Sequence, residues 1–152
     1  MRKINVLAVL MPICVLCLAV DSFAQGRMWG IRGGGWGHGS QYCAMYDTQA
    51  VETISGKVMS VDKITPMRGM NYGIHLMVKT EKEEISVHLG PGWFLENQDM
   101  AIETNDQVEI TGSRITYEGK PALIAAEVKK GGNVLVLRDK NGFPAWSGWR
   151  RR

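Results

Sequence analysis

Residues 74–89, Ile74-His75-Leu76-Met77-Val78-Lys79-Thr80-Glu81-Lys82-Glu83-Glu84-Ile85-Ser86-Val87-His88-Leu89, decide how the rest of the chain is read. Ile74, Leu76 and Val78 alternate with His75, Met77 and Lys79, and Ile85, Val87 and Leu89 alternate with Ser86 and His88. A strict period of two marks strands with one apolar and one polar face. The charged run Glu81-Lys82-Glu83-Glu84 between them has the composition of a hairpin turn. Centred on Glu81-Lys82, the hairpin sets His75 opposite His88 and Lys79 opposite Glu84. Centred one residue later, it sets Met77 opposite His88. In both registers the two imidazoles are expected to point outward.

The same texture continues on both sides. Upstream, Ile54, Gly56 and Val58 share a face and Val61 falls on the other, so the first strand is expected to bulge or bend. Downstream, a strand runs from Val108 and Ile110 to Ile115. Tyr117-Glu118-Gly119-Lys120-Pro121 then turns the chain into Leu123–Val128, and Gly131-Gly132-Asn133 turns it into Val134–Leu137. Trp93–Asp99 has room for a helical turn or two, and no stretch has the pattern of a longer amphipathic helix. Short strands of even spacing, the first long and bent, predict an all-β fold: a small five- to six-stranded OB-like barrel over residues 50–139. Closure would hide the sheet edges that an exported β protein needs to protect.

The two ends differ from this middle. Arg2 and Lys3, the apolar run Ile4–Val20 and the small residues of Ser22-Phe23-Ala24 have the order of a signal peptide, with the mature chain starting at Gln25. Pro12 inside the run and Asp21 directly after it argue against a membrane anchor. Cys14 and Cys17 form the only C-x-x-C, and they read as apolar residues that leave with the signal. The mature chain keeps one cysteine, Cys43, and can form no internal disulfide. Losing residues 1–24 lowers net charge from +3 to +2, too little for a broad polyanion-binding field. The expected location is the periplasm.

Residues 25–49 interleave Gly26, Gly30, Gly33, Gly34, Gly35, Gly37 and Gly39 with Trp29, Trp36, Tyr42 and Tyr46, and no period organises them. So many glycines make ordering entropically costly, which predicts a mobile lead that docks, if at all, through its aromatics. Residues 140–152 form a Trp/Arg-rich tail.

Ile54-Ser55-Gly56-Lys57-Val58, Val87-His88-Leu89-Gly90-Pro91-Gly92-Trp93-Phe94, Val108-Glu109-Ile110-Thr111-Gly112-Ser113 and Leu137-Arg138-Asp139 together resemble the small exported OB-like proteins that include the domain of the magnetosome proteins MamS and MamX. The resemblance spans about Val51 to Trp149 and indicates fold more firmly than function. For MamX it implies redox or iron-handling work with c-type haem. That chemistry does not carry over, because Cys43 is followed by Ala44-Met45-Tyr46 and the mature chain has no C-x-x-C-H. A MamS-like accessory role is what it leaves open.

Three constellations are candidates for a site. His75 and His88 with Met77 would suit copper, with His38 or Cys43 of the lead completing the shell; the plainer reading makes both histidines ordinary solvent-facing residues. Trp93 and Phe94 would serve as a stacking platform or, as expected here, as a plug in the open end of the barrel. Trp146, Trp149, Arg150, Arg151 and Arg152 would bind an anionic membrane surface or an acidic partner, or else clasp the barrel with a solvated charged end. No nucleophile elbow, phosphate loop or carboxylate pair flanked by a histidine supports an enzyme. The expectation is a non-catalytic binding or accessory module with an envelope protein as partner and no cofactor. Copper or another transition metal is the alternative, and nucleic acid ranks last.

Overall fold

The computed structural model describes residues 35–147. Six strands follow a short 3-10 turn at Cys43–Met45: β1 (Val51–Ile64), β2 (Gly73–Lys79), β3 (Glu84–Pro91), β4 (Gln107–Tyr117), β5 (Lys120–Lys130) and β6 (Asn133–Val136). A single turn of helix, α1 (Gly92–Leu95), follows β3. Neighbouring strands run in the order β3-β2-β1-β4-β5-β6, and a parallel β3–β5 pairing closes the first five into a barrel. This is the all-β, OB-like closed barrel that the alternation predicts, with β6 as one added strand.

Closure depends on β1, which pairs with β4 along its first half and with β2 along its second. The register shifts between Val58 and Ser60, which leaves Met59 as the extra residue, 44% exposed. That bulge is where the apolar phase changes faces between Val58 and Val61, as expected. Inside, Val58, Leu76, Val78, Ile85, Val87, Val108, Ile110, Leu123 and Val128 are nearly or wholly shielded from water. Burying each such side chain is worth about 1.5–3 kcal/mol, which makes this packed interior the main source of barrel stability. Arg114 ties one end together: its Nε donates to Glu52 Oε1 of β1 at 2.8 Å, and its terminal nitrogens hold Glu83 of the β2–β3 turn.

The segment before β1 departs from expectation. From Trp36 onward it is packed on the barrel, with Trp36 and Tyr42 at 0% and 1% exposure and Cys43 also buried. Two large rings removed from water offset the entropy of ordering a glycine-rich stretch, and the glycines between them let the chain follow the barrel wall. Residues 1–34, which hold the expected signal peptide and the first part of the lead, lie outside the described residues.

The chain also folds back after β6. Arg138 bridges to Pro144, the Asp139 carboxylate accepts from the Asn141 and Phe143 amides, and Ala145 N donates to Leu137 O. This hairpin carries Trp146 onto the barrel, where it is buried.

Candidate functional site

His75 pairs directly with His88, Leu76 with Val87, Met77 with Ser86 and Lys79 with Glu84. The hairpin is therefore centred on Glu81-Lys82, the first of the two registers considered, and Met77 stands opposite Ser86 rather than His88. Thr80 holds the turn: its N–H donates to Glu83 O, and its Oγ1 accepts from the Lys82 and Glu83 amides.

The outward face of this pair is not open to water. His88 is fully buried, contrary to the expectation that it points into solvent, while His75 remains partly exposed. The cover comes from distant parts of the chain. The Tyr42 hydroxyl is hydrogen-bonded to His88 Nδ1 at 2.9 Å, and the Tyr117 ring meets the imidazole edge-on at 4.8 Å. Burial, followed by the nearby His75, pushes His88 down to about 4, so it is neutral near pH 7. Burial also drives the Tyr42 phenol upward. On the other ring, Nδ1 of His75 is hydrogen-bonded to Ser86 Oγ at 3.0 Å, and its Nε2 lies 3.9 Å from Asp62 Oδ2.

Glycines make room for this cover. A Cβ on Gly73 would collide with the Trp36 ring, and one on Gly90 would lie 2.7 Å from the Trp146 ring. The two tryptophans meet edge-on at 6.3 Å, and Trp146 Nε1 donates to the Trp36 carbonyl at 2.7 Å. Trp36 Nε1 donates in turn to Asn71 O in the β1–β2 loop. In OB barrels the β2–β3 face and the β1–β2 and β4–β5 loops take up ligands. Here residues of the segment before β1 occupy that face, and Tyr117 Oη donates to Pro66 O, joining the end of β4 to the β1–β2 loop.

The other expected site residues are dispersed. His38 is exposed and lies against Phe143, with ring centres 4.3 Å apart. Cys43 is buried, donates to the Trp36 carbonyl, and lies 3.8 Å from both terminal nitrogens of Arg138. That guanidinium sits over the Tyr46 and Trp146 rings. Cys43 stands in no C-x-x-C-H and under this cover, so the residues do not fit covalent haem attachment. Phe94 is 5% exposed and packs against Trp146, so it belongs to the hydrophobic core and has almost no surface to stack on a ligand. Trp93 is partly buried against the same core. Trp146 belongs to the buried clasp rather than to an exposed binding surface, and Trp149 and Arg150, Arg151 and Arg152 lie outside the described residues. Among the described residues, no three His, Cys, Asp or Glu side chains converge on a metal-sized point.

Sequence reasoning missed the burial of His88 and the structural part played by Tyr42, Trp36 and Arg138. The available signals were the aromatics of the lead and the paired positions around Gly73 and Gly90, where a sheet offers a flat backbone floor.

No curated protein matches the sequence. The sequence pattern of one family matches residues 50–135, which is β1 through most of β6. The covering residues Trp36, Tyr42 and Trp146 fall outside that stretch, whereas His75, His88, Gly73 and Gly90 fall inside it. By this match over more than half its length, the chain belongs to the MamS/MamX magnetosome protein family.

Proposed function

We propose that this protein is an exported, non-catalytic accessory module of the cell envelope that works by holding a protein partner. Membership of a magnetosome-associated accessory family supports the role, and the signal-like residues 1–24 support export. One observation carries the reading: the face that OB barrels use for ligands is filled by the chain's own Trp36 and Tyr42, whereas β6 stays at the edge of the sheet with Val134 and Val136 54% and 52% exposed. An unpaired edge strand bearing β-branched side chains is suited to receiving an extended segment of another protein. Nucleic acid is disfavoured on charge, because residues 35–147 contain eleven Lys and Arg against fourteen Asp and Glu. The C-terminal arginines offer a secondary attachment to an anionic membrane surface.

The test is a photo-crosslinking amino acid placed at Val134 or Val136 in the full chain and activated in living cells. The expected result is a discrete adduct with one envelope protein, the adduct from position 134 being lost when Val136→Lys is introduced. Absence of an adduct at both positions, with adducts forming from the covered β2–β3 face instead, overturns the reading.

A further inference from the structure

We propose that His75 and His88 form a two-imidazole site for monovalent copper, Cu(I), held by the two Nε2 atoms at the rim of the Tyr42 cover. This inference is independent of the partner-binding reading. It starts from how the rings are pinned. Both use Nδ1 for a hydrogen bond to a hydroxyl, His88 to Tyr42 at 2.9 Å and His75 to Ser86 at 3.0 Å. Fixing one ring nitrogen in this way is how outer residues orient a metal-binding histidine and leave the other nitrogen for the ion. The Nε2 of His88 is buried and has no hydrogen-bond partner among the described residues. An unpartnered buried nitrogen is costly unless something compensates for it.

The spacing agrees. The two residues face each other directly across β2 and β3, with ring centres 6.2 Å apart. Two metal–nitrogen bonds of about 2 Å each, plus the offset from nitrogen to ring centre, span about 6 Å when ligand, ion and ligand lie nearly in line. Cu(I), a filled-shell ion, takes two neutral nitrogens in that arrangement. Tetrahedral Zn2+ needs four ligands, and no third His, Cys, Asp or Glu converges with the pair among the described residues.

Charge points the same way. The cost of bringing an ion out of water rises with the square of its charge, so a site made of two neutral imidazoles under aromatic cover favours a single positive charge. One carboxylate, Asp62, stands at the rim 3.9 Å from His75 Nε2 and can balance that charge. Its side chain is 54% exposed and that of His75 21%, which gives the ion a way in from solvent.

The test is anaerobic titration of the full mature protein with Cu(I) against a competing Cu(I) chelator. X-ray absorption on the loaded protein would then report the ligands. The expected result is one Cu(I) per chain, bound by two nitrogen ligands without sulfur. His75→Ala should weaken binding at least 100-fold, and Tyr42→Phe, a positioning variant, about 10–100-fold at unchanged stoichiometry. His38→Ala should bind like the wild type. As a readout on the unaltered protein, the Nε2 resonances of both histidines should shift on loading and those of His38 should not, which holds even if a variant folds poorly. Failure of the wild type to compete with the chelator, sulfur in the coordination sphere, a preference for Zn2+, or unchanged binding by folded His75→Ala would each overturn the proposal.

Discussion

The Tyr42 hydroxyl and Nδ1 of His88 are hydrogen-bonded at 2.9 Å across 46 positions of sequence, with both side chains buried. This contact joins the segment before β1 to the third strand of the barrel. It converts a polar sheet face into an interior.

Because Tyr42 is the hydrogen-bonding partner of that buried nitrogen, Tyr42→Phe should lower stability by about 1–3 kcal/mol, the usual effect of orphaning a buried polar group. Urea denaturation of the two proteins measures the difference. A change below about 0.3 kcal/mol would mean that the hydroxyl contributes nothing that water does not replace.

Trp36 has 0% exposure and lies on Gly73, with Trp146 and Tyr42 at its edges. Trp36→Ala should therefore destabilise by about 3–5 kcal/mol. A chain beginning at Ala50 should lose at least as much and melt well below one beginning at Gln25. Equal melting temperatures for the two chains would show that the barrel does not depend on its cover.

Gly73→Ala offers a gentler probe of the same contact. Its Cβ would be forced into the Trp36 ring and would lie 2.7 Å from the Gly90 carbonyl oxygen, so the ring must move. Overpacking of this kind costs about 1–3 kcal/mol. It should be accompanied by a red shift of tryptophan emission as Trp36 meets water. Unaltered emission and stability together would place the ring elsewhere.

In the metal-free protein, His88 resists protonation because it is buried and faces His75, and it accepts a proton only near pH 4. The unfolded chain takes that proton near pH 6.5. Between those values the unfolded state binds more protons, so stability is fully present above about 6.5 and falls as pH drops towards 4, by up to about 3 kcal/mol. Following the His88 ring resonances by NMR while denaturation is repeated across this window checks both halves. The prediction is falsified if His88 titrates near 6.5 in the folded protein.

The family match ends at residue 135, just before the β6 terminus, whereas the hairpin that returns Trp146 to the barrel begins at Leu137. Barrel and cover are thus distinct in sequence and continuous in space. The strands were legible because their information is local: alternation in Ile74–Val78 and Ile85–Leu89 sets the faces, the charged turn narrows the register to two choices, and the phase change between Val58 and Val61 marks the bulge. Each depends on residues a few positions apart, and the period of a strand makes such patterns readable.

The sequence by itself determined an all-β barrel, the placement of His75 and His88 on one face of adjacent strands in either of two registers, and the single cysteine left after residues 1–24. Tertiary structure alone decided the register, that His88 is sealed, that Trp36, Tyr42 and Cys43 are part of the core, and that Phe94 and Trp146 are structural rather than displayed. The reason is physical. Whether a polar face meets water depends on what else the chain can lay over it, and here that cover comes from Tyr42 and Tyr117, 46 and 29 positions away from His88. Alternation reports which side of a strand a residue occupies, and packing over distance reports whether that side is wet.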